Sequence, residues 1–292
     1  MYFRGLVFLF LFSAEFASHA QLSNSYTVSD NKEFDKIKFS LNATNGQCLI
    51  ELGLKTQVMD IYSNTSEERA PKYVERIINR TKEVSVALVE NDNASLSSSI
   101  SRHMFSSPAV DEYTWKVYLS KLKPLDLDLN YAIGDTYIDL SDLPIEKLKM
   151  RSGSANVKVN YRSGYGNLME MDTFFIKVDM GTFEANNLYL CNSNNIITDV
   201  GFGKVKMDFE DAEHINTTVT ASVGAGKLEV ILPQDAVPVR ININDSPLCN
   251  IKMPGNFTQV EENIFETPGF SADNSNWLNF NVDVAVGNIV FK

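Results

Sequence analysis

A glycine that recurs between two alternating segments constrains the fold of this chain more than any other feature. In each copy, apolar and polar residues alternate before the glycine and again after it, which is typical of a β-strand with one buried face. Mostly apolar residues stand five and three positions before the glycine and four positions after it. Seven glycines fit this template: Gly46, Gly134, Gly153, Gly181, Gly201, Gly224 and Gly287.

Repeated units of strand, corner and strand indicate a β-solenoid, in which each coil covers the apolar edge of its neighbour. A glycine suits the corner because it can adopt a positive φ or allow another backbone to approach closely. We therefore predict an all-β, parallel β-helix-like solenoid with coils of roughly 20–28 residues and glycine corners. Regular repeats occupy residues 125–292, and residues 21–124 form a less regular N-terminal β part.

The first twenty residues have the features of a signal peptide. Arg4 supplies one positive charge, an apolar run follows, and Ser18-His19-Ala20 ends in residues that a signal peptidase prefers. We predict export to the periplasm, the cell surface or the extracellular space. No later segment is long and apolar enough to span a bilayer, so an integral membrane protein is not expected.

Three local segments depart from the strand pattern. Residues 65–78 begin with a capping box, Thr65 and Glu68, and place apolar residues at helical spacing, which predicts a helix. Residues 192–199 and 244–277 are rich in residues typical of turns and predict loops at the coil edges.

Two Gly-x-Gly-Lys motifs, at 201–204 and 224–227, raise the possibility of a phosphate-binding loop. Such a loop requires Gly-x-x-x-x-Gly-Lys-Ser/Thr followed by a helix. Here Leu228 follows the lysine, Ala221 stands where the first glycine belongs, and the next residues alternate as a strand does. We interpret the motifs as corners, with Lys204 and Lys227 at one outward position of neighbouring coils.

Stacking of the coils would bring outward charges together. Asp139 beside Lys158, and Lys206 beside Glu229, would form opposite-charge pairs on neighbouring strands. Asp179 and Asp199 would stack as like charges, which makes them a weak candidate cation site. No calcium-solenoid repeat is present, and no cofactor is predicted.

Catalytic chemistry finds little support in the sequence. Acids such as Asp139, Asp172 and Asp208 fall on different phases of the repeat, whereas glycosidases need converging carboxylates. His103 and His214 lack the spacing of metal ligands. The formal net charge of −11 argues against binding to nucleic acid or to an anionic membrane surface. We predict that the protein is not an enzyme.

Three cysteines, Cys48, Cys191 and Cys249, are too few for a disulfide scaffold, and one must stay unpaired within the chain. A role as small buried residues is favoured over a bridge, because cysteine is among the most buried residue types. A disulfide between two of them remains an alternative.

Several segments resemble the bacterial toast-rack domains: LDLDLNYAIGDTYIDLSDLPIEKLKMRSGSANVKV (125–159), VGFGKVKMDF (200–209), VGAGKLEVILP (223–233) and VDVAVGNIVF (282–291). These domains are related to the C-terminal domain of the cell-wall-antibiotic-response regulators and to adhesin-type domains of unknown function. The resemblance runs from about residue 110 to the C-terminus and more loosely from about residue 35. It implies a right-handed β-solenoid of envelope or exported proteins, without established catalytic residues, and it favours strands at 65–90.

The function predicted from these observations is that of an exported, non-catalytic β-solenoid of the bacterial envelope. It would serve as an interaction or adhesin-like module for an unidentified protein or glycan partner. Three alternatives remain: an accessory envelope-stress protein, a β-helix enzyme acting on polysaccharide, and a structural component that stacks edge to edge.

Overall fold

A computed structural model describes residues 24–53, 56–65, 70–87, 113–234, 237–245, 247–271 and 273–292. These ranges contain β-strands, one turn of 3-10 helix at Leu188–Cys191 and no α-helix. The predicted all-β class is therefore confirmed, while the predicted signal peptide at 1–20 lies outside the described residues. The strands are β1 (Asn24–Val28), β2 (Lys36–Leu52), β3 (Met59–Ser63), β4 (Lys72–Ile78), β5 (Thr81–Ala87), β6 (Thr114–Leu119), β7 (Leu125–Asp139), β8 (Ile145–Asn160), β9 (Thr173–Asn186), β10 (Asn195–Asp208), β11 (Asn216–Ile231), β12 (Val239–Asp245), β13 (Cys249–Lys252), β14 (Thr258–Glu261), β15 (Ile264–Glu266) and β16 (Trp277–Phe291).

All the strands belong to one open sheet. Its order is β1-β3-β6-β2-β7-β8-β9-β10-β11-β16-β12-β15-β14, with β5 and then β4 attached to β2, and β13 attached to β16. The long strands β2, β7, β8, β9, β10, β11 and β16 are parallel neighbours, as stacked coils require. The sheet continues across residues 124 and 125, since β2 pairs with β7.

Each long strand bends near its middle. Val200 and Val205 are both buried although they are five residues apart, whereas residues five apart in a regular strand face opposite sides. The bend between them reorients the strand, so that the side chain of Val205 points into the core as that of Val200 does. We call the half of each long strand before the bend the first arm and the half after it the second arm.

Glycines with positive φ make the bend. They stand in register on neighbouring strands, and Ala155 takes the equivalent position in β8. Their φ angles lie between +114° and +149°, a region open to glycine because it has no Cβ. The bend glycines are Gly46, Gly134, Gly181, Gly203, Gly226 and Gly287.

The predicted alignment of the corner glycines is partly wrong. Gly46, Gly134, Gly181 and Gly287 lie at the bend position, but Gly153, Gly201 and Gly224 lie two residues before it and do not have positive φ. A shift of two residues keeps every apolar side chain on the same face, so alternation could not reveal the error.

The core lies between the two arms and the turns that connect successive coils. One row of the first arm contributes Phe39, Leu127, Leu148, Phe174, Ile196, Val219 and Phe280, all buried. A second-arm row contributes Ile50, Ile138, Val159, Ala185, Met207, Val230 and Phe291. Each fully buried large apolar side chain contributes about 1.5–3 kcal/mol relative to exposure.

The cysteines are free. Cys48 and Cys191 are buried in the core, in keeping with the favoured role as small buried residues, and Cys249 is half-buried. The alternative of a disulfide is not supported.

At the N-terminal side of the sheet, each arm of β2 pairs with a different short strand. The first arm of β2 pairs with β5, whereas its second arm pairs with β6, which pairs with β3 and then β1. β4 and β5 form a hairpin whose turn residues, Asn79 and Arg80, both have positive φ, as in mirror-image hairpin turns.

The helix predicted at 65–78 is wrong where the structure describes it. Residues 72–78 form the strand β4, and residues 66–69 lie outside the described part. Local spacing suggested a helix, but pairing with β5 and the β-branched residues Val74, Ile77 and Ile78 favour a strand.

At the C-terminal side the last strand is inserted into the sheet. β16 lies between β11 and β12 and runs parallel to both. The loop predicted at 244–277 is wrong in part, because it contains β13, β14 and β15, and the loop predicted at 192–199 overlaps β10 from Asn195. These strands are short or begin among turn-forming residues, which hides them from compositional reasoning.

Candidate functional site

The two candidate cation ligands are not brought together. Asp199 stands opposite Lys177, and its Oδ2 lies 2.7 Å from the Lys177 Nζ. Asp179 lies two positions further along β9, beside Gly201. The prediction is therefore wrong, because the shifted glycine register misaligned the aspartates. In the part of the chain that the structure describes, no group of three or more His, Cys, Asp or Glu side chains could hold a metal ion.

The two Gly-x-Gly-Lys motifs lie within strands. Lys204 and Lys227 stand opposite each other on β10 and β11, as predicted. The Lys227 ammonium binds the Glu229 carboxylate of its own strand. Because no helix follows either motif, neither supplies the ring of amide donors that a phosphate loop requires.

Of the two predicted charge pairs, only one has the predicted register. Lys206 does stand opposite Glu229, but its Nζ lies 3.2 Å from Glu184, and Glu229 binds Lys227 and Lys292 instead.

The pair of Asp139 with Lys158 is wrong. Lys158 stands opposite Tyr137, and Asp139 lies 3.7 Å from Arg162. The reason is again the two-residue shift of the register at Gly153.

The acids considered for catalysis do not converge. Asp139 and Asp208 fall in one outward row, contrary to the predicted difference of phase, but three strand spacings, about 14 Å, separate them. Glycosidase carboxyl groups lie about 5–9.5 Å apart. Asp172 binds Lys147 at 3.0 Å on the first arm. His214 is exposed in the segment between β10 and β11, and His103 lies outside the described residues.

A groove of about 490 Å³ lies across β6 and the second arms of β2, β7, β8 and β9. We call it the second-arm groove. Lys116, Leu49, Tyr137 and Lys158 stand in register along it, on four neighbouring strands. Polar side chains nearer the bend border this row: Gln47, Asp135 and Asn156. Strands with rigid pairing on both sides thus hold the groove's side chains in a fixed array.

The second-arm groove contains two lysines, Lys116 and Lys158, and two acids, Asp135 and Glu184. The ammonium groups of Lys116 and Lys158 make no ion pair or hydrogen bond with any residue that the structure describes. Glu184, which stands opposite Lys158, is bound by Lys206, whereas Asp135 keeps its negative charge and accepts a hydrogen bond of 2.9 Å from the Asn156 amide. Two free cations therefore flank Leu49 and Tyr137 in a protein of net charge −11.

Tyr137 is the aromatic residue of this row, and 37% of its surface is exposed. Partial burial, followed by the negative charge of Asp139, raises the pKa of its phenol. The hydroxyl therefore stays protonated at neutral pH and can donate a hydrogen bond while the ring face offers an apolar surface.

An exposed apolar row runs along the bend itself. Met180, Phe202, Ala225 and Val286 stand in register on β9, β10, β11 and β16. Phe202 is 63% exposed, Val286 44% and Met180 42%. The bend turns these side chains outward, between the glycine columns. We call them the bend row.

Sequence reasoning missed both the second-arm groove and the bend row. Lys116 belongs to a strand remote in sequence from β7, so no spacing along the chain joins it to Tyr137. The outward direction of Phe202 and Val286 can be predicted only when the position of the bend is known.

The family model described as the N-terminal domain of toast_rack, DUF2154, matches residues 18–173. No functionally curated protein shows significant sequence similarity to the chain.

Solved structures also resemble the chain. One, from Clostridium sporogenes and named a "putative cell adhesion protein", shares 15% identity at a TM-score of 0.48, covering 92% of this chain and 97% of that one. Another, a "putative adhesin" from Bacteroides fragilis, shares 12% identity at a TM-score of 0.32, covering 91% and 95%. Such low identities carry no inference about what this chain binds.

Proposed function

The chain belongs to the family of toast-rack N-terminal domains, and we propose that it is an exported, non-catalytic, adhesin-like module of the bacterial envelope. In this role the stacked strands serve as a rigid support, and the outward side chains of the second arm contact the partner. Export is the role expected of the segment 1–20, whose composition is that of a signal peptide.

The second-arm groove is the observation that supports binding. Free cations, an aromatic ring and hydrogen-bonding side chains share one groove on paired strands. Sites built on rigid elements hold their geometry without ordering on binding, which lowers the entropic cost of recognition.

The spacing of the acids supports the non-catalytic part of the proposal. Asp139 and Asp208 are too far apart to act on one glycosidic bond, and Asp172 is engaged by Lys147. Hydrolysis of a polysaccharide would need a convergent pair of carboxyl groups that these residues do not form.

Expression of the full chain in a bacterial host tests this proposal, through the N-terminus of the mature protein, its cell fraction and its sedimentation with envelopes. We expect the mature protein to start near Gln21, to fractionate outside the cytoplasm, and to sediment with isolated cell envelopes without releasing new reducing ends from them. Retention of the uncleaved protein in the cytoplasm would contradict export, and release of reducing ends would contradict the non-catalytic role.

The second candidate is self-assembly, and the observation that favours it is the bend row, which lies on central strands and would join copies face to face, not edge to edge. Its exposed side chains offer on the order of 300 Å², well below the roughly 800 Å² per partner of a stable interface. The bend row alone therefore supports weak self-association at most.

A further inference from the structure

We propose that the second-arm groove binds an acidic polysaccharide, with Lys116 and Lys158 holding carboxylates and Tyr137 lying against a sugar ring. This rests on the proposed binding function and names its ligand class. The groove's alignment, charge and border residues each support that class.

The alignment fits an elongated chain. Lys116, Leu49, Tyr137 and Lys158 follow one another across four parallel strands, so the Cα atoms of the two lysines are three strand spacings, about 14 Å, apart. A linear glycan lying along this row would pass over Leu49 and Tyr137 and meet a cation at each end.

The two lysines without ionic partners fit an anionic ligand. Among the described residues, Lys116 and Lys158 lack ionic partners, Glu184 is bound by Lys206, and the Asp135 carboxylate at the border of the groove keeps its negative charge. The net charge of −11 repels a dense polyanion such as a nucleic acid. A uronic acid oligomer can place two of its carboxylates at the two lysines.

The remaining side chains fit sugar hydroxyl groups. Asp135 and Asn156 are exposed at the bend side of the groove and hold each other in place through their hydrogen bond of 2.9 Å. A carboxylate and an amide together offer acceptors and donors to a polyol. The exposed ring of Tyr137 supplies an apolar face for the C–H side of a sugar.

Calorimetric titration of the full-length mature protein tests the proposal, with hexagalacturonate as the acidic probe and cellohexaose as the neutral one. We expect hexagalacturonate to bind at least tenfold more tightly than cellohexaose, and added salt to weaken its binding. Tyr137→Ala and the double variant Lys116→Ala/Lys158→Ala should each weaken it at least tenfold. Lys149→Ala is the matched control, since Lys149 is a first-arm lysine outside the groove, and it should bind as the unchanged protein does.

Three results would overturn the proposal: equal affinity for the acidic and neutral probes, unchanged affinity in the groove variants with circular dichroism also unchanged, or tighter binding of a single-stranded oligonucleotide through the same lysines. Envelope sedimentation separates this failure from that of the proposed function. A protein that sediments with envelopes but does not bind hexagalacturonate retains its binding role and loses this ligand class.

Discussion

The carbonyl oxygen of Gly181 lies 1.7 Å from the position that a Cβ on residue 203 would occupy. The same close approach recurs along the bend: Gly226 meets the oxygen of Gly203 at 1.8 Å, and Gly287 meets that of Gly226 at 1.9 Å. Backbone oxygens cannot move aside as a flexible side chain can. The stacking of the coils therefore depends on the missing side chains at these positions.

Replacement of Gly203 by alanine should destabilise the fold strongly. The new Cβ would collide with the Gly181 oxygen, and φ of +148° is costly for any residue with a Cβ. We expect a loss of about 3 kcal/mol or more in the free energy of unfolding, measured by urea denaturation.

Gly255→Ala is the control for this change. A Cβ at residue 255 would meet no atom within 4 Å, and its φ is not positive. A loss of stability at Gly203→Ala no greater than at Gly255→Ala would show that the bend does not need glycine.

The bend also shows how far sequence reasoning could go. Alternation predicted the strands and their inward faces, because residues two apart share a face whatever the register. It could not choose between Gly201 and Gly203, since both are glycines of the same parity in one strand. The positive φ and the close backbone approach at Gly203 become visible only when the neighbouring strand is in place.

Glu229 should make stability depend on acidity. Hydrogen bonds from Lys227 and Lys292 hold the pKa of its carboxyl at about 2, below the usual 4.5. Because the carboxyl has a lower pKa in the folded protein than in the unfolded chain, its ionised form stabilises the fold at any pH above 4.5. This stabilisation is lost as the pH falls from 4.5 towards 2. Glu229→Gln should cost about 1 kcal/mol at pH 7, because both lysines are partly exposed.

Urea unfolding at neutral and acidic pH measures this effect. The difference between the unchanged protein and Glu229→Gln should shrink as the pH falls through that window. Glu261→Gln, at an exposed carboxylate of β14, is the control and should change stability little at any pH. A difference that stays constant with pH would contradict the assigned ion pairs.

The cysteines should differ in reactivity. Burial raises the pKa of the Cys48 and Cys191 thiols to about 12, so both stay protonated and inaccessible in the native protein. A short iodoacetamide pulse should label half-buried Cys249 first, and all three thiols after unfolding in urea. Mass spectrometry identifies the labelled residue, and labelling of Cys48 or Cys191 as fast as Cys249 in the native protein would refute the described core.

The bend row should not hold a stable oligomer. Its exposed area is too small for one, so light scattering after size exclusion should give the mass of a monomer at micromolar concentration. Phe202→Ser should leave that mass unchanged, with a similar melting temperature because Phe202 is 63% exposed. A polymer dispersed by Phe202→Ser would favour the assembly function instead.

The second-arm groove could not be predicted from the sequence, because its residues come from strands that are distant along the chain. Its row joins Lys116 to Leu49, sixty-seven residues earlier, and then to Tyr137 and Lys158. Gly153 had been aligned with Gly134, which placed Asp139 and not Tyr137 beside Lys158. Only the true register reveals an aromatic ring between two free cations.

Disulfide trapping of β9 against β10 tests the register at the bend most directly. Met180 stands opposite Phe202, and facing residues on neighbouring strands are close enough for a disulfide. Under mild oxidation Met180→Cys/Phe202→Cys should form a crosslink between those positions, whereas Thr182→Cys/Phe202→Cys should not. Crosslinking of the second pair in place of the first would align Gly181 with Gly201 and contradict the glycine bend described for this fold.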